Sequence, residues 1–465
     1  MTRSISGGRE LLNPQGISLL DGGLATYLED GLGFNLSLSK LWSARLLDQD
    51  DNRADQEVEL EGPKGIHTAH THYLEAGARI IGTATYQASY PVFEKANYSK
   101  EKATELMLRA VRIASDANSE FASTTTSSSS FPSHSAKQPE AMVALSLGPY
   151  GAMLSDGSEY TGVYFDPNEE DRTEASTTRR KDVSIEKMEE FHYRNLVAYA
   201  EDPEVWASIG CLALETVPRL DEAVAFRRAL RRLAKTFSDR GVQLERKPAY
   251  ISFAFPDTLG LPWPPRSREK TSPSVNATAT APAISPEVDV GRLVNESEDD
   301  SKRADEEMKE LLRQVLSVEV DDVGQDGQEK GLFWPIIGVG INCTKPYLIQ
   351  PLTERMTRCL EALQASQGII TKRRGAGKVG PLGDGKPLLF LYPDGGLVWD
   401  GAEKVWRKPS TWADQLIKVA KAVMEVEVQG ERGQQQQLSS VWKGCFVGGC
   451  CKSGTDEIRA LKRSL

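Results

Sequence analysis

The chain is short of the residue types that most often hold metals or exchange protons near neutral pH: five histidines and six cysteines in 465 residues. Cysteines so thinly spread exclude a disulfide-stapled scaffold. No CxxC pair occurs, which removes the common four-ligand structural zinc knuckle. There is no run of about 18 apolar residues, so nothing reads as a transmembrane helix. The opening MTRSISGGRELLNPQG has no apolar core of the signal-peptide kind. The expectation is a cytoplasmic, reducing setting in which thiols are free, catalytic or metal-bound. Positive charge is also in deficit. Lys and Arg total 56 against 66 Asp and Glu, a net charge of −10. That balance argues against nucleic acid and against an anionic membrane surface as partners. No glycine-rich GxGxxG follows a strand-like run, so a Rossmann-type nucleotide site is not expected.

What is present is a regular alternation. Eight apolar, β-rich runs are bounded by turn residues: 17–23, 78–86, 142–149, 211–217, 249–255, 336–343, 387–393 and 442–450. They are near-continuous in apolar character, as strands buried on both faces are. Between most of them lie stretches with apolar spacing near 3.6. In IHTAHTHYLEAG, for example, Ile66, Ala69, Tyr73 and Leu74 share one helical face. A last helical stretch, GTDEIRALKR, follows the eighth run. Eight strands alternating with helices predict an α/β fold, a (β/α)₈ barrel over residues 1–465. A doubly wound open sheet is the alternative, and the count of eight with a closing helix favours the barrel.

Several segments fall outside this pattern. Residues 117–140 are Ser/Thr-rich, and 257–304 carry Pro, Ser and acidic residues. Shorter polar stretches occur at 321–331, 372–386 and 429–440. All five read as disordered insertions. Most lie in helix-to-strand connections, but 257–304 follows the fifth strand, on the face where barrels build active sites, and a lid is one reading of it.

Because barrel chemistry sits at the C-terminal ends of strands, those ends are where functional residues are sought. The first run ends in Asp21-Gly22-Gly23, the fourth in Glu215-Thr216, the sixth in Asn342-Cys343 and the eighth in Cys450-Cys451. Strands six and eight are separated by one strand around a ring, so their tips can face one mouth. Three thiolates with a fourth position open are the signature of a catalytic zinc site. Such an ion holds a substrate thiol as thiolate, which free thiols with pKa about 8.5 reach only in part at neutral pH. Asp21 and Glu215 can hold an amino group, and backbone N–H groups of the Gly22-Gly23 turn a carboxylate. Together they describe an amino-acid thiol. No catalytic side chain beyond the metal ligands is required. Cys211, Cys359 and Cys445 read as core residues, since unpaired cysteine is among the most buried types. His67, His70 and His72 form a second candidate cluster, HTAHTH, but it precedes strand two on the outer helix layer. Surface or capping roles are the expectation for it.

At these residues the chain resembles the homocysteine S-methyltransferase family. The resemblance rests on LLDGGLATYLE, YLEAGARIIGTATYQAS, LGPYGAMLSDGSEYTGVY, ETVPRLDEA, GVGINCTKP and GGCC, spread over almost the whole length. It implies a (β/α)₈ barrel, zinc held by Cys343, Cys450 and Cys451, and homocysteine contacted by Asp21 and Glu215. It implies methyl transfer to homocysteine from S-methylmethionine or S-adenosylmethionine. Betaine as donor, or an inactive barrel serving as an interaction protein, are the alternatives. The partners expected are small molecules alone, and the oligomeric state is not legible. Some positions depart from the family pattern: Ser39 and Lys40 where Asp and Pro are usual, SFAFPD at the end of strand five where SFSCKD is more usual, and Asp394 where Asn is common.

Overall fold

The computed structural model of the chain describes residues 11–36, 39, 41–49, 61–127, 140–165, 182–256, 258–262, 298–317, 334–366, 386–400, 405–407, 409–429 and 435–465. Each of the eight apolar runs contains a strand. These are β1 (Ile17–Leu19), β2 (Ile80–Gly82), β3 (Met142–Leu147), β4 (Cys211–Val217), β5 (Ala249–Phe253), β6 (Ile336–Asn342), β7 (Leu388–Tyr392) and β8 (Gly444–Val447). They form one sheet in which sequence neighbours are spatial neighbours, with β8 lying between β7 and β1. Every pairing is parallel, for example Ile17 opposite Cys445 and Gly340 opposite Phe390. A parallel bridge between Leu20 and Ile80 joins the first strand to the second and closes the ring. Eight helices alternate with the strands: α1 (Gly62–Ala76), α2 (Lys100–Ser127), α3 (Ile185–Ala200), α4 (Leu220–Asp239), α5 (Glu298–Leu316), α6 (Pro346–Ala365), α7 (Trp412–Met424) and α8 (Thr455–Ser464). The architecture is the (β/α)₈ barrel.

Two hydrophobic cores follow from strand alternation. In β4, Leu212 and Leu214 point outward to the helices, while Cys211 and Ala213 point into the barrel. In β7, Leu389 and Leu391 face out and Leu388, Phe390 and Tyr392 face in. The interior is filled, not hollow: Tyr250 stacks on Phe390 with ring centroids 3.8 Å apart, and Phe390 stacks on Phe446 at 5.1 Å. The same period of two carries the inward face up to the rim. Glu215 stands above Ala213, Ser146 above Ala144 and Tyr392 above Phe390. The mouth of the barrel is thus lined by whatever the sequence places one step beyond the apolar layer.

The polar insertions are partly ordered. Helix α2 runs to Ser127 and so takes in the first part of 117–140; Asn118 on it donates to Ala141 O at 2.8 Å. Helix α5 takes in the end of 257–304, its first turn carrying Glu298, Asp299 and Asp300, which suit the positive end of the helix dipole. The 429–440 stretch corrects the expectation of disorder more directly. Glu425–Gln429 and Gln435–Ser439 pair as an antiparallel hairpin. Val426 and Val428 alternate at the strand period, a signal masked by the glutamines around it. Residues 321–331, almost all of 372–386 and Lys40 lie outside the described residues. Among the described residues, no helix is long and apolar enough to cross a membrane.

The histidine cluster also departs from expectation. His67 pairs with Glu120 at 3.2 Å, and His72 meets the Tyr27 hydroxyl at 2.8 Å. His70, however, is wholly buried on the inward face of α1 with Ile66, Ala69 and Tyr73, and neither ring nitrogen has a hydrogen-bond partner. Helical spacing placed it inward, and its polarity did not prevent burial. Desolvation, helped by the nearby His67, lowers its pKa from 6.5 to about 3. Between those values the unfolded chain binds a proton that the folded chain does not. Stability is therefore full above pH 6.5 and is lost as pH falls toward 3. At pH 5 this group costs about 2 kcal/mol relative to pH 7. Urea titrations at both pH values should show that increment in the native chain and not in His70→Leu. An identical pH dependence in the two proteins would refute the assignment.

Candidate active site

The three rim cysteines converge. Cys343 follows directly on β6, and Cys450 and Cys451 follow β8 after two glycines. Their sulfurs all lie within 4.8 Å of one another. Cys343 and Cys450 are joined as a disulfide with Cα atoms 5.6 Å apart, and Cys451 is free. A tetrahedral ion with Zn–S bonds of about 2.3 Å asks for sulfurs about 3.8 Å apart, so the reduced trio fits the ion without backbone rearrangement. Cys211, Cys359 and Cys445 are buried as core residues, and Cys445 in mid-strand faces away from this trio.

Backbone hydrogen bonds fix the trio in place. Cys450 N–H donates to Pro393 O and Gly395 N–H to Cys451 O, both at 2.8 Å, tying the pair to the end of β7. On the other side, Gly23 N–H donates to Ser453 O at 2.8 Å and Lys452 N–H to Thr26 Oγ1 at 3.0 Å. The glycines of GGCC serve close approach here; neither has positive φ. A Cβ on Gly448 would lie 2.6 Å from Asp21 O, and one on Gly449 would collide with Ser453 Cβ. Cys343 itself adopts φ 46°, a conformation uncommon outside glycine. Asn342 beside it accepts from Thr216 N–H and donates to Thr216 Oγ1, both at 2.8 Å, with its amide 3.9 Å from Cys450 Sγ. Thr344 Oγ1 accepts from Phe255 N–H at 3.0 Å. Asp394 pairs with Lys345 at 2.7 Å, so this departure from the family pattern supports the loop beyond Cys343.

The trio opens on a cavity of about 490 Å³ lined also by Asp21, Gly22, Gly23, Ser39 and Glu215. Among the described residues, its lining contains three carboxylates, of Asp21, Glu159 and Glu215, and no Lys, Arg or His. Asp21 Oδ2 accepts from Gly82 N–H at 2.7 Å, and Glu215 accepts from Ser146 Oγ. Burial raises the Asp21 pKa from 3.8 to about 8; the Gly82 N–H opposes the rise and the Glu215 charge adds to it. Burial raises Glu215 as well, against the hydrogen bond from Ser146. Two buried carboxylates so placed await a cation. Gly23 N–H is engaged with Ser453 and does not supply the carboxylate contact expected of it. Burial also raises the Cys451 thiol, and a hydrogen bond from Tyr160 works against that rise.

The segment after β3 completes the wall. Residues Tyr150–Leu154 form a 3₁₀ turn and Ser158–Thr161 a short helix. Glu222 of α4 anchors both ends of this segment from below. It accepts from Tyr150 N–H and from the Tyr164 hydroxyl, the latter at 2.6 Å, and His192 meets it at 3.0 Å. Arg219, stacked over Tyr164, donates to Gly162 O at 3.0 Å. Sequence reasoning passed over Ser146, Asn342, Glu159 and Tyr160 as site residues; each sits one position from a quoted motif residue or inside a quoted motif. Backbone strain marks the same place. Among the described residues, Trp42, Ser155, Thr216 and Cys343 line the cavity with positive φ, and Lys452 follows Cys451 with φ 60°.

Comparison with known proteins agrees with this geometry. The family model described as homocysteine S-methyltransferase matches residues 18–283 and 294–465. The chain is 38% identical over 451 residues to homocysteine S-methyltransferase 2 of Zea mays, covering 96% of this chain and 89% of that one. It is 27% identical over 460 residues to selenocysteine Se-methyltransferase of Brassica oleracea var. italica, covering 98% and 91% of the two. Among solved structures, it is similar in fold to the homocysteine methyltransferase MmuM from Escherichia coli in its metallated form. There the TM-score is 0.52 at 21% identity, over 97% of each chain. The oxidized form of the same protein gives 0.53 at 22% identity, over 98% and 99%.

Proposed function

Because the chain belongs to the homocysteine S-methyltransferase family, we propose that its cavity moves a methyl group from a sulfonium donor, S-methylmethionine or S-adenosylmethionine, to the thiol of L-homocysteine, using zinc held by Cys343, Cys450 and Cys451. The observation that carries this reading is the meeting of three sulfurs within 4.8 Å at the edge of a cavity lined by three carboxylates. Bound zinc supplies Lewis acidity that keeps a substrate thiol deprotonated near neutral pH. Asp21 and Glu215 take the homocysteine ammonium, which replaces the proton that burial otherwise holds on Asp21. The backbone at Gly22 faces the carboxylate. Held at both ends, the substrate presents its sulfur to the donor methyl. One C–S bond forms as another breaks, and the electron pair stays on the departing sulfur. The donor is already cationic, so its leaving group needs no proton. Positioning and thiolate formation then account for the rate.

The test is to measure metal content and methionine formation from homocysteine with each sulfonium donor. Zinc near one per chain with turnover on at least one donor is expected. Absence of turnover on every donor by the fully loaded protein would sink the reading. A pH series sharpens it. Because Asp21 in the free protein holds its proton up to about 8, kcat/KM for homocysteine should climb as pH rises from 6 toward 8. In Asp21→Asn the Asp21 part of that climb should vanish.

A further inference from the structure

Two of the three cavity carboxylates are accounted for by the substrate ammonium; Glu159 is not. It is 9% exposed, lines the cavity, and its Oε2 has no hydrogen-bond partner. It has no ion pair among the described residues, and burial raises its pKa, with the charge of Asp156 adding to the rise against a backbone hydrogen bond at Glu159 itself. A buried acceptor left bare in this way is costly and is normally removed unless a ligand completes it. The position is built, not incidental. Gly157 and Gly162 bracket the short helix in left-handed conformations, at φ 84° and 70°. Asp156 Oδ1 accepts from Ser158 N–H at 3.0 Å, and Gly151 packs so closely that a Cβ there would come within 2.7 Å of Glu159 N. Both ends of the segment are held, by Glu222 at Tyr150 and Tyr164 and by Arg219 at Gly162. Tyr86 and Tyr160 line the same cavity as Glu159 and Cys451. An aromatic pair beside a carboxylate is an arrangement suited to a diffuse cation.

We propose that Glu159 recognises the positive charge of the methyl donor, with the rings of Tyr86 and Tyr160 beside it. The inference rests on the methyl-transfer reading above and extends it to a residue that selects the class of donor. The chemistry gives it a second consequence. Transfer breaks the methyl–sulfur bond of the donor and forms one to homocysteine, and the donor leaves as a neutral thioether. The attraction to Glu159 therefore acts before reaction and disappears after it, so it aids binding of the donor and not retention of its product. Loss of an interaction that is strongest in the ground state raises the donor KM and does not lower kcat.

The experiment compares the zinc-loaded native chain with Glu159→Gln. Expected are a donor KM and a calorimetric Kd for S-methylmethionine, measured without homocysteine, both raised about 10- to 100-fold. The homocysteine KM and zinc content should stay within twofold of native. Donor constants within twofold of native would overturn the proposal while leaving the methyl-transfer reading intact. Failure of the native chain to turn over any donor would instead overturn that reading. If Glu159→Gln loses zinc or folds poorly, Glu159→Asp decides, since it keeps the charge: recovered donor binding supports the proposal, and donor binding as weak as that of the glutamine variant overturns it.

Discussion

Replacing Cys450 with serine should empty the metal site and lower kcat by about 10³-fold or more, the equivalent of several kcal/mol of lost Lewis-acid stabilisation. The barrel itself should survive. The β8 ladder is made by residues 444–447, and the Cys450 tie to Pro393 O uses the backbone. Far-UV circular dichroism should therefore match the native chain while metal analysis does not. Cys343→Ser and Cys451→Ser should behave alike, because each removes one of three donors. Cys445→Ala is the control. Its thiol is buried in the core away from the trio, so its replacement should lower the denaturation midpoint and leave metal content and kcat unchanged. Full metal retention with unchanged turnover in Cys450→Ser would remove the basis of the site.

The second large effect is expected at Asp21, and it has two signs. Asp21→Asn should raise the homocysteine KM by about 10- to 100-fold, since a charge-assisted bond to the substrate ammonium becomes a neutral one. The same change should stabilise the protein without substrate. A carboxyl whose folded pKa is raised from 3.8 to about 8 contributes stability that is full below pH 3.8 and lost as pH climbs through 8. At pH 7 the native carboxylate is thus a burden. Asparagine, which can still accept from Gly82 N–H, should recover about 2 kcal/mol after allowance for the partial exposure of the site to the cavity. Denaturant midpoints and steady-state kinetics on one preparation test both signs. A KM within twofold of native, or a variant less stable at pH 7 than native, would contradict this account. Glu215→Gln should resemble it, and the double variant should cost less than the product of the singles, because removing one carboxylate relieves the other.

These residues were open to sequence reading to different degrees, for physical reasons. The eight strands announced themselves through continuous apolar runs, and the strand-tip rule then led to Asp21, Glu215 and the three cysteines. Asn342 was visible only as a letter in a motif. Its role depends on Thr216, which is 126 residues away and becomes a neighbour when β4 and β6 curve toward one mouth. The glycines of GGCC invited an explanation by tight turning. The crowding of Gly448 against Leu20 and Asp21 exists only because β8 closes on β1, a contact no local pattern encodes. Glu159 lay inside a quoted stretch, but its burial is set by a four-residue helix too short to leave a periodic signal. His70 shows the opposite case: the periodicity pointed inward, and the polarity of the residue argued against believing it.

The placement of β8 between β7 and β1 has a consequence for how the protein is made. One thiol of the trio comes from residue 343 and two come from residues 450 and 451, beyond the last strand. A chain stalled or clipped before residue 444 has seven strands, two unpaired sheet edges and one of the three thiols. It cannot gather the ion, however much of its helix content is already in place. With the metal site proposed above, metal uptake during refolding or translation would count finished barrels, and metal retained across a population of chains would report the fraction that reached closure.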